Sequence, residues 1–576
     1  MKLSRLSIRA LNDYSRRSVL GYLSLRHALE ADALQGDRWA TEVAPDIVDR
    51  EPEGGYHVAK VFKEQKAGGF IFREIGSPGS NEALAEAALL EACGKAGRVF
   101  ARVADVYSYR LAKNHETAGS FSPYFEHYKR RQRAIGLCCR RHRDHFVFCA
   151  DIRNFYPSIS RTRVRNLWRE ACVKSELGTK WQLLGQRLID RQKSFAKKGL
   201  LVGPMFSHLL ADLALRDFDK KMRKKYPARY FRYVDDVAIV LPQREIPAAK
   251  RLMTRILGKA GLKLHPHKFS EMLAVSWAKT APWQGKASSV EVRDKKWMAL
   301  VDRIKCYLLK RPNEIEELGA ALRAVGVRIP LPKYQAAVAD ADYQVRLRRR
   351  MQTKWFLKYV HGLTIRKVVA QSQRAVEGYL NEFAAHWEQY GVIEDKVQRK
   401  WHSTKLKNIL GKLTMLAPEE LLDLLLELLE GADEFASSRA ILRAIRKRDV
   451  TDLIGFGGSI CGAAGQILSA RGGQYACQPK RWPAQSRQGL ATLLLMGVNI
   501  EDSWPIHVRR DFPIRFSLGE FGPKSWKRVK SRFGREIMAI SRDVSLEKNQ
   551  RLLGTPLNPD DEWHLLSDEL NLPVFS

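Results

Sequence analysis

The sequence predicts an α+β region followed by an all-α tail, on three observations. Runs of β-branched and aromatic residues at 145–151, 230–234 and 237–241 read as strands. Acids stand where these runs end: Asp151 closes the first, and Asp235 and Asp236 fall in the tight turn between the other two. Beyond about residue 343 the chain reads as helix to about 450, with 421–429 its most apolar stretch.

Charge bounds the partner. The 576 residues hold 99 Lys plus Arg against 63 Asp plus Glu, a net of +36. An excess this large points to a polyanion, most often nucleic acid, over a merely solvated basic surface. The hydrophobic fraction of 45% provides for a sizeable core. No apolar run reaches membrane-spanning length, and the first residues lack the apolar core of a signal peptide. The eight cysteines form no C-x-x-C pair, which argues against a zinc site or disulfide framework and for a reducing cytoplasm.

Residues 1–55 give short helical signals and then a Pro-, Gly- and acid-rich loop at 45–55. Residues 83–93 are good helix formers, and 106–111 read as a strand. The basic run 129–143 reads by itself as a solvated face. The strand 145–151 delivers Asp151 at its C-terminal edge, Pro157 stops it, and a helix is expected from Arg161. A Gly/Pro loop at 199–204 leads into an amphipathic helix from about Ser207. Another helix covers 248–260. Leu424, Leu425 and Leu426 read as core. The glycine loop at 455–458 lacks the Lys-Ser/Thr of a phosphate loop. Residues 400–470 have the length of two or three helical pairs.

Adjacent side chains of an extended chain point opposite ways, so one of Asp235 and Asp236 can hold a metal while the other supports it. If the strands are neighbours, Asp151 joins them at one sheet edge. Oxygen ligands without Cys or His suit Mg²⁺ or Mn²⁺. Two such ions stabilise both the attacking and the leaving oxygen of a phosphoryl displacement. That chemistry is nucleotidyl transfer, in which a 3′-hydroxyl attacks an α-phosphate.

The order of parts resembles a known family. Asp151-x-x-x-Phe155-Tyr156-Pro157-Ser158-Ile159 is similar to motif A of reverse transcriptases. Residues 199–207 with Ala211 resemble motif B, Tyr233-Val234-Asp235-Asp236 motif C, and 261–268 motif D. Motif B departs from the usual Pro-Gln-Gly core. Its Gly203-Pro204-x-x-Ser207-x-x-x-Ala211 form, followed by Leu215 and Asp219, resembles bacterial defence-associated (abortive-infection) reverse transcriptases. No clear motif E and no HNH or maturase signature follows.

The resemblance implies a right-hand polymerase with an N-terminal extension (1–55), fingers and palm (56–290), thumb-like helices (291–345) and a HEAT-like helical C-terminal domain (346–576). It implies Asp151 and Asp235 as metal ligands, with Asp236 as the third palm acid. Tyr156 matches a steric gate against the ribose 2′-hydroxyl. Gly203, Pro204 and Ser207 would line the nascent base pair, Lys268 would be general acid to the pyrophosphate, and Arg110 is a candidate for the triphosphate. The implied activity is an antiphage reverse transcriptase that transfers dNTPs to a 3′-hydroxyl or a protein primer, with or without a template. The partners implied are RNA or DNA and dNTPs, with a non-coding RNA, a co-encoded protein and a second copy of the chain as further candidates, and no membrane. The rivals are a retron-like or intron-derived reverse transcriptase and an inactive basic RNA-binding scaffold. The Gly-Pro form of motif B argues against the former, and the intact acids against the latter.

Overall fold

A computed structural model describes residues 4–14, 19–31, 38–50, 55–66, 69–101, 103–112, 119–122, 124–196, 198–280, 297–339, 360–394, 396–520 and 545–554. The chain divides into two compact units. The first comprises residues 1–14, 27–59 and 74–286, and the second 15–26, 60–73 and 287–576. The N-terminal extension thus contributes to both units, while the thumb-like stretch and the helical tail fall in one.

At the centre of the first unit lies a four-stranded sheet in the order β4-β5-β3-β6. Its strands are β3 (Phe146–Ile152), β4 (Tyr230–Tyr233), β5 (Asp236–Leu241) and β6 (Leu264–Leu273), and all pairings are antiparallel. A separate two-stranded sheet joins β1 (Tyr56–Lys66) and β2 (Gly69–Pro78). Helices α1 (Arg5–Tyr14), α2 (Ser80–Lys95), α3 (Tyr124–Arg141), α4 (Arg161–Ser175), α5 (Thr179–Arg191), α6 (Met205–Lys225) and α7 (Ile246–Lys259) surround the central sheet.

Period-two alternation sorts the strand side chains between two cores. Phe148, Ala150, Ile152, Val237, Ile239 and Leu241 join a large core with Leu89 of α2, Trp168 of α4, Leu188 of α5, Leu210 of α6 and Met253 of α7. Val147, Ala238 and Val240 join a smaller one with Ile135 and Cys139 of α3 and Ala274. Burial on both faces is why β3 reads as a continuous apolar run. Asp151 and Asp236, in phase with Val147 and Val240, belong to the smaller-core face.

Two expectations are corrected. Residues 106–111 form no strand; they make isolated bridges at Val106 and Leu111, and Tyr109, at φ +50°, breaks the extended path between them. The expected loop at 45–55 begins instead as a helix, Ala44–Arg50, which continues a π-helical turn at Trp39–Val43. Residues 51–54 lie outside the described residues.

The second unit is mainly helical. Among its described elements are α8 (Trp297–Lys310), α9 (Ile365–Val392), α10 (Lys396–Leu416), α11 (Gly458–Arg471) and α12 (Ala484–Leu495), with two-residue strands at Gln474–Tyr475 and Asn499–Ile500. Helices α9 and α10 pack together, as do α11 and α12, around one core containing Trp297, Tyr379, Leu410, Leu425, Leu426, Phe435, Cys461 and Leu493. On the helix Glu419–Leu428, Leu425 and Leu426 are buried as expected, but Leu424 faces outward and is exposed, which corrects its reading as core. Among the described residues no helix is long and apolar enough to cross a membrane.

Candidate active site

The β4–β5 turn carries Asp235 and is held from several sides. Val234 adopts φ +54°, an uncommon value for a β-branched residue. Its amide donates to Ser108 Oγ at 3.0 Å, and its carbonyl accepts from Arg232 Nη1 at 2.8 Å. The Asp235 carbonyl accepts from Ile152 N at 3.3 Å, and the Asp236 carbonyl from Arg131 Nη2 at 3.3 Å. Asp236 stands directly across from Asp151 in the β3–β5 register, so these two side chains share a face. The Asp235 carboxyl is pushed up to about 8, first by burial and then by the charges of Asp236 and Asp151, against the pull of a backbone hydrogen bond and Lys268.

Lys268 reaches Asp151 because β6 bulges. While β3 advances from Ala150 to Ile152, its β6 partners run from Phe269 to Leu264. The extra residues include Pro266, which has no amide hydrogen for the ladder. Lys268 Nζ stands 3.2 Å from Asp151 Oδ2.

Tyr156, 7% exposed, follows β3 on the one-turn helix Phe155–Ser158. Its hydroxyl lies 2.8 Å from Tyr109 Oη and 2.6 Å from His208 Nδ1. Its carbonyl accepts from Leu200 N at 3.0 Å, which ties it to the Gly/Pro loop. Gly199 has φ +68°, and a Cβ there would come within 2.2 Å of the Pro157 carbonyl oxygen. Gly203 sits at φ +128°, and Pro204 precedes the first residue of α6. Ser207 is fully buried. Its Oγ accepts from Gln192 Nε2 at 3.0 Å, while Gln192 Oε1 accepts from Leu201 N at 2.8 Å, so the pair braces the loop. Arg110 follows Tyr109, and its carbonyl accepts from Ser122 N at 2.9 Å.

The structure thus brings together Asp151, Asp235, Asp236 and Lys268, and separately Tyr156 with the Gly199–Pro204 loop. Sequence reasoning missed the support beneath them. Arg232 donates to Asp212 at 2.9 Å and to both Asp219 oxygens at 2.7 Å, and Tyr230 Oη donates to Asp219 at 2.6 Å. Burial works against the Arg232 charge, and the carboxylates of Asp219 and Asp212 outweigh it. The one available signal was an arginine inside an otherwise apolar strand.

Among the described residues no three Asp, Glu, His or Cys side chains already form an ion cage. The donor chemistry nonetheless fits a hard divalent cation. All three acids offer oxygen only, and their mutual repulsion at Asp235 is what such a cation relieves.

Residues 102–322 match the model of the family described as Reverse transcriptase (RNA-dependent DNA polymerase). The chain is an RNA-directed DNA polymerase. It is therefore a nucleotidyltransferase, and the match supports a right-hand polymerase fold. Among solved structures the polymerase is similar to the telomerase of Candida albicans in complex with a TWJ fragment of telomeric RNA. The identity is 12%, with 65% of this chain and 67% of that chain covered and a TM-score of 0.29, and so slight a likeness carries no argument. No curated protein matches the chain.

Proposed function

We propose that the polymerase is a defence-associated reverse transcriptase that joins dNTPs in a reaction assisted by Mg²⁺ or Mn²⁺. The observation that carries this is the placement of Asp151 and Asp236 opposite each other on one face, with Asp235 at the adjoining turn. Asp151 and Asp235 would hold the ions and Asp236 would support them. Bound divalent ions would activate the 3′-hydroxyl and neutralise charge on the triphosphate. Lys268 would leave Asp151 to give a proton to the departing pyrophosphate. The ring of Tyr156 would close the sugar site to a 2′-hydroxyl. Gly203 and Pro204 would border the nascent pair, with Arg110 toward the triphosphate and Ser207 acting through the loop it braces.

The defence assignment rests on the Gly203-Pro204-x-x-Ser207-x-x-x-Ala211 form of the loop and helix. The second unit would act as the repeat-like helical module of such enzymes, engaging an RNA or a companion protein. The deciding experiment combines Asp235→Ala with Asp236→Ala. The double variant is expected to lose dNTP incorporation and phage protection while keeping its circular dichroism spectrum. Retained incorporation would remove the palm assignment, and lost incorporation with retained protection would remove the link to defence. Sequencing nucleic acid that co-purifies with the chain, before and after nuclease or protease treatment, identifies template and primer.

A further inference from the structure

The Tyr156 hydroxyl is tethered from two directions. Tyr109, on the segment 103–112, approaches at 2.8 Å, and His208 Nδ1, on α6, at 2.6 Å. The tethers also brace each other, since the Tyr109 and His208 rings stack at 4.3 Å between centroids with planes 9° apart. A neutral imidazole with its proton on Nε2 makes the chain self-consistent: Tyr109 donates to the Tyr156 oxygen, and Tyr156 donates to Nδ1. Tyr156 and His208 are 7% and 8% exposed, so water competes little for these bonds. Tyr109 adopts φ +50°, a backbone that a non-glycine residue keeps only where its surroundings hold it.

We propose that His208 and Tyr109 are positioning residues that lock the Tyr156 ring and thereby set discrimination between deoxyribo- and ribonucleotides. The inference rests on the reading of Tyr156 as the gate. A gate excludes a single oxygen atom, and carbon and oxygen surfaces meet at about 3.5 Å, so a ring that swings by a fraction of that distance admits it. Tyr156 is hinged at its Cα, and van der Waals contact alone leaves such a ring some rotation. Two hydrogen bonds at the far end, from separate elements, remove it.

The test measures kcat/KM for a dNTP and the matching rNTP with the full-length chain, on whichever primer supports dNTP incorporation. Tyr156→Phe keeps the ring and removes both bonds. His208→Leu removes one acceptor, Tyr109→Phe removes one hydroxyl while keeping the stack, and His208→Asn restores an acceptor near the Nδ1 position. Tyr156→Phe and His208→Leu are expected to lower the dNTP:rNTP ratio about fivefold or more, the size of one lost buried hydrogen bond, mainly through a lower KM for the rNTP. Tyr109→Phe should shift the ratio the same way, and His208→Asn should recover most of it. If Tyr156→Ala relaxes selectivity while His208→Leu and Tyr109→Phe leave the ratio at its original value, the tether is refuted and the gate stands. If Tyr156→Ala itself leaves the ratio unchanged, the gate reading fails and takes the tether with it. Equal losses of dNTP and rNTP use reduce His208 to a structural role and also overturn the proposal.

Discussion

Arg232 is 1% exposed and binds two buried carboxylates as well as the carbonyl that precedes Asp235. Removing one partner of a buried ion network strands the others, at about 3–5 kcal/mol. Arg232→Leu is expected to cost that much in urea unfolding, and a loss below about 1 kcal/mol would show that Asp212 and Asp219 find other partners. Arg232→Lys should recover little, because an ammonium cannot span both Asp219 oxygens and Asp212 in the planar fork of a guanidinium. Lys268 is a different case, being partly exposed and bound to a single carboxylate oxygen. If it donates the proton to pyrophosphate, Lys268→Ala lowers kcat about 10²-fold or more with little change in dNTP KM. A change confined to KM would make it a binding group.

At the scale of elements, α1 is fastened to α2. Arg5 Nη2 and Arg9 Nη1 donate to Glu91 at 2.8 and 3.1 Å, and Tyr14 Oη donates to Glu86 at 2.6 Å. Tyr14 Oη also accepts from Met205 N at 2.9 Å, so the first helix of the chain braces the start of α6. Burial alone would raise the Glu91 carboxyl, but hydrogen bonds from Arg5 and Lys95 outweigh it and hold the group at about 2. A depressed carboxyl contributes stability above its ordinary value of 4.5, and that contribution is lost as pH falls toward 2. The melting-temperature gap between the unaltered chain and Glu91→Gln should therefore shrink as pH drops from about 5 to 3. A gap that stays constant would mean that the ionised Glu91 carboxylate is not the source of the difference. Gly199→Ala tests the loop in turn. Its methyl would overlap the Pro157 backbone at a positive φ, so a loss of several-fold in dNTP incorporation is expected together with lower stability. Unchanged kinetics would show that the loop can move away without consequence for Tyr156.

The strands of the central sheet, and the position of Asp151, Asp235 and Asp236 at their ends, were legible because a two-residue period and a carboxylate at a strand end are local signals. Helices α4, α6 and α7 were legible for the same reason. Segment 106–111 misled because Tyr109 takes a left-handed backbone that its own side chain does not announce. Gln192, His208 and Asp212 stayed hidden because no local pattern pairs them with Leu201, Tyr156 and Arg232, and only the fold reveals the partner. Ser207 was singled out from the motif, but its bond to Gln192 could be read only from the fold.

For the molecule as a whole, the net charge of +36 makes nucleic-acid binding a salt-dependent property. Each neutralised phosphate contributes about −0.7 to the slope of log K against log salt for single strands and about −0.9 for duplex. A chain this basic should show a slope steeper than about −3 for RNA, measured by anisotropy across a salt series. A flat response would place the positive charge away from the bound strand.

The bulge at 265–268 has one more effect. Among the described residues the four-stranded sheet has two edge strands, β4 and β6. Along β4 the chain covers itself, since Arg232 N donates to the Asp105 carbonyl at 3.0 Å and Tyr107 N to the Arg232 carbonyl at 2.9 Å. Along β6 the irregular stretch with Pro266, two histidines and Lys268 interrupts the row of amides that a stray strand would need. The turn of backbone that presents a lysine to Asp151 would thus also disfavour strand addition at β6. Pro266→Val should raise light scattering on heating, and an unchanged aggregation temperature would assign that effect to the charged side chains alone.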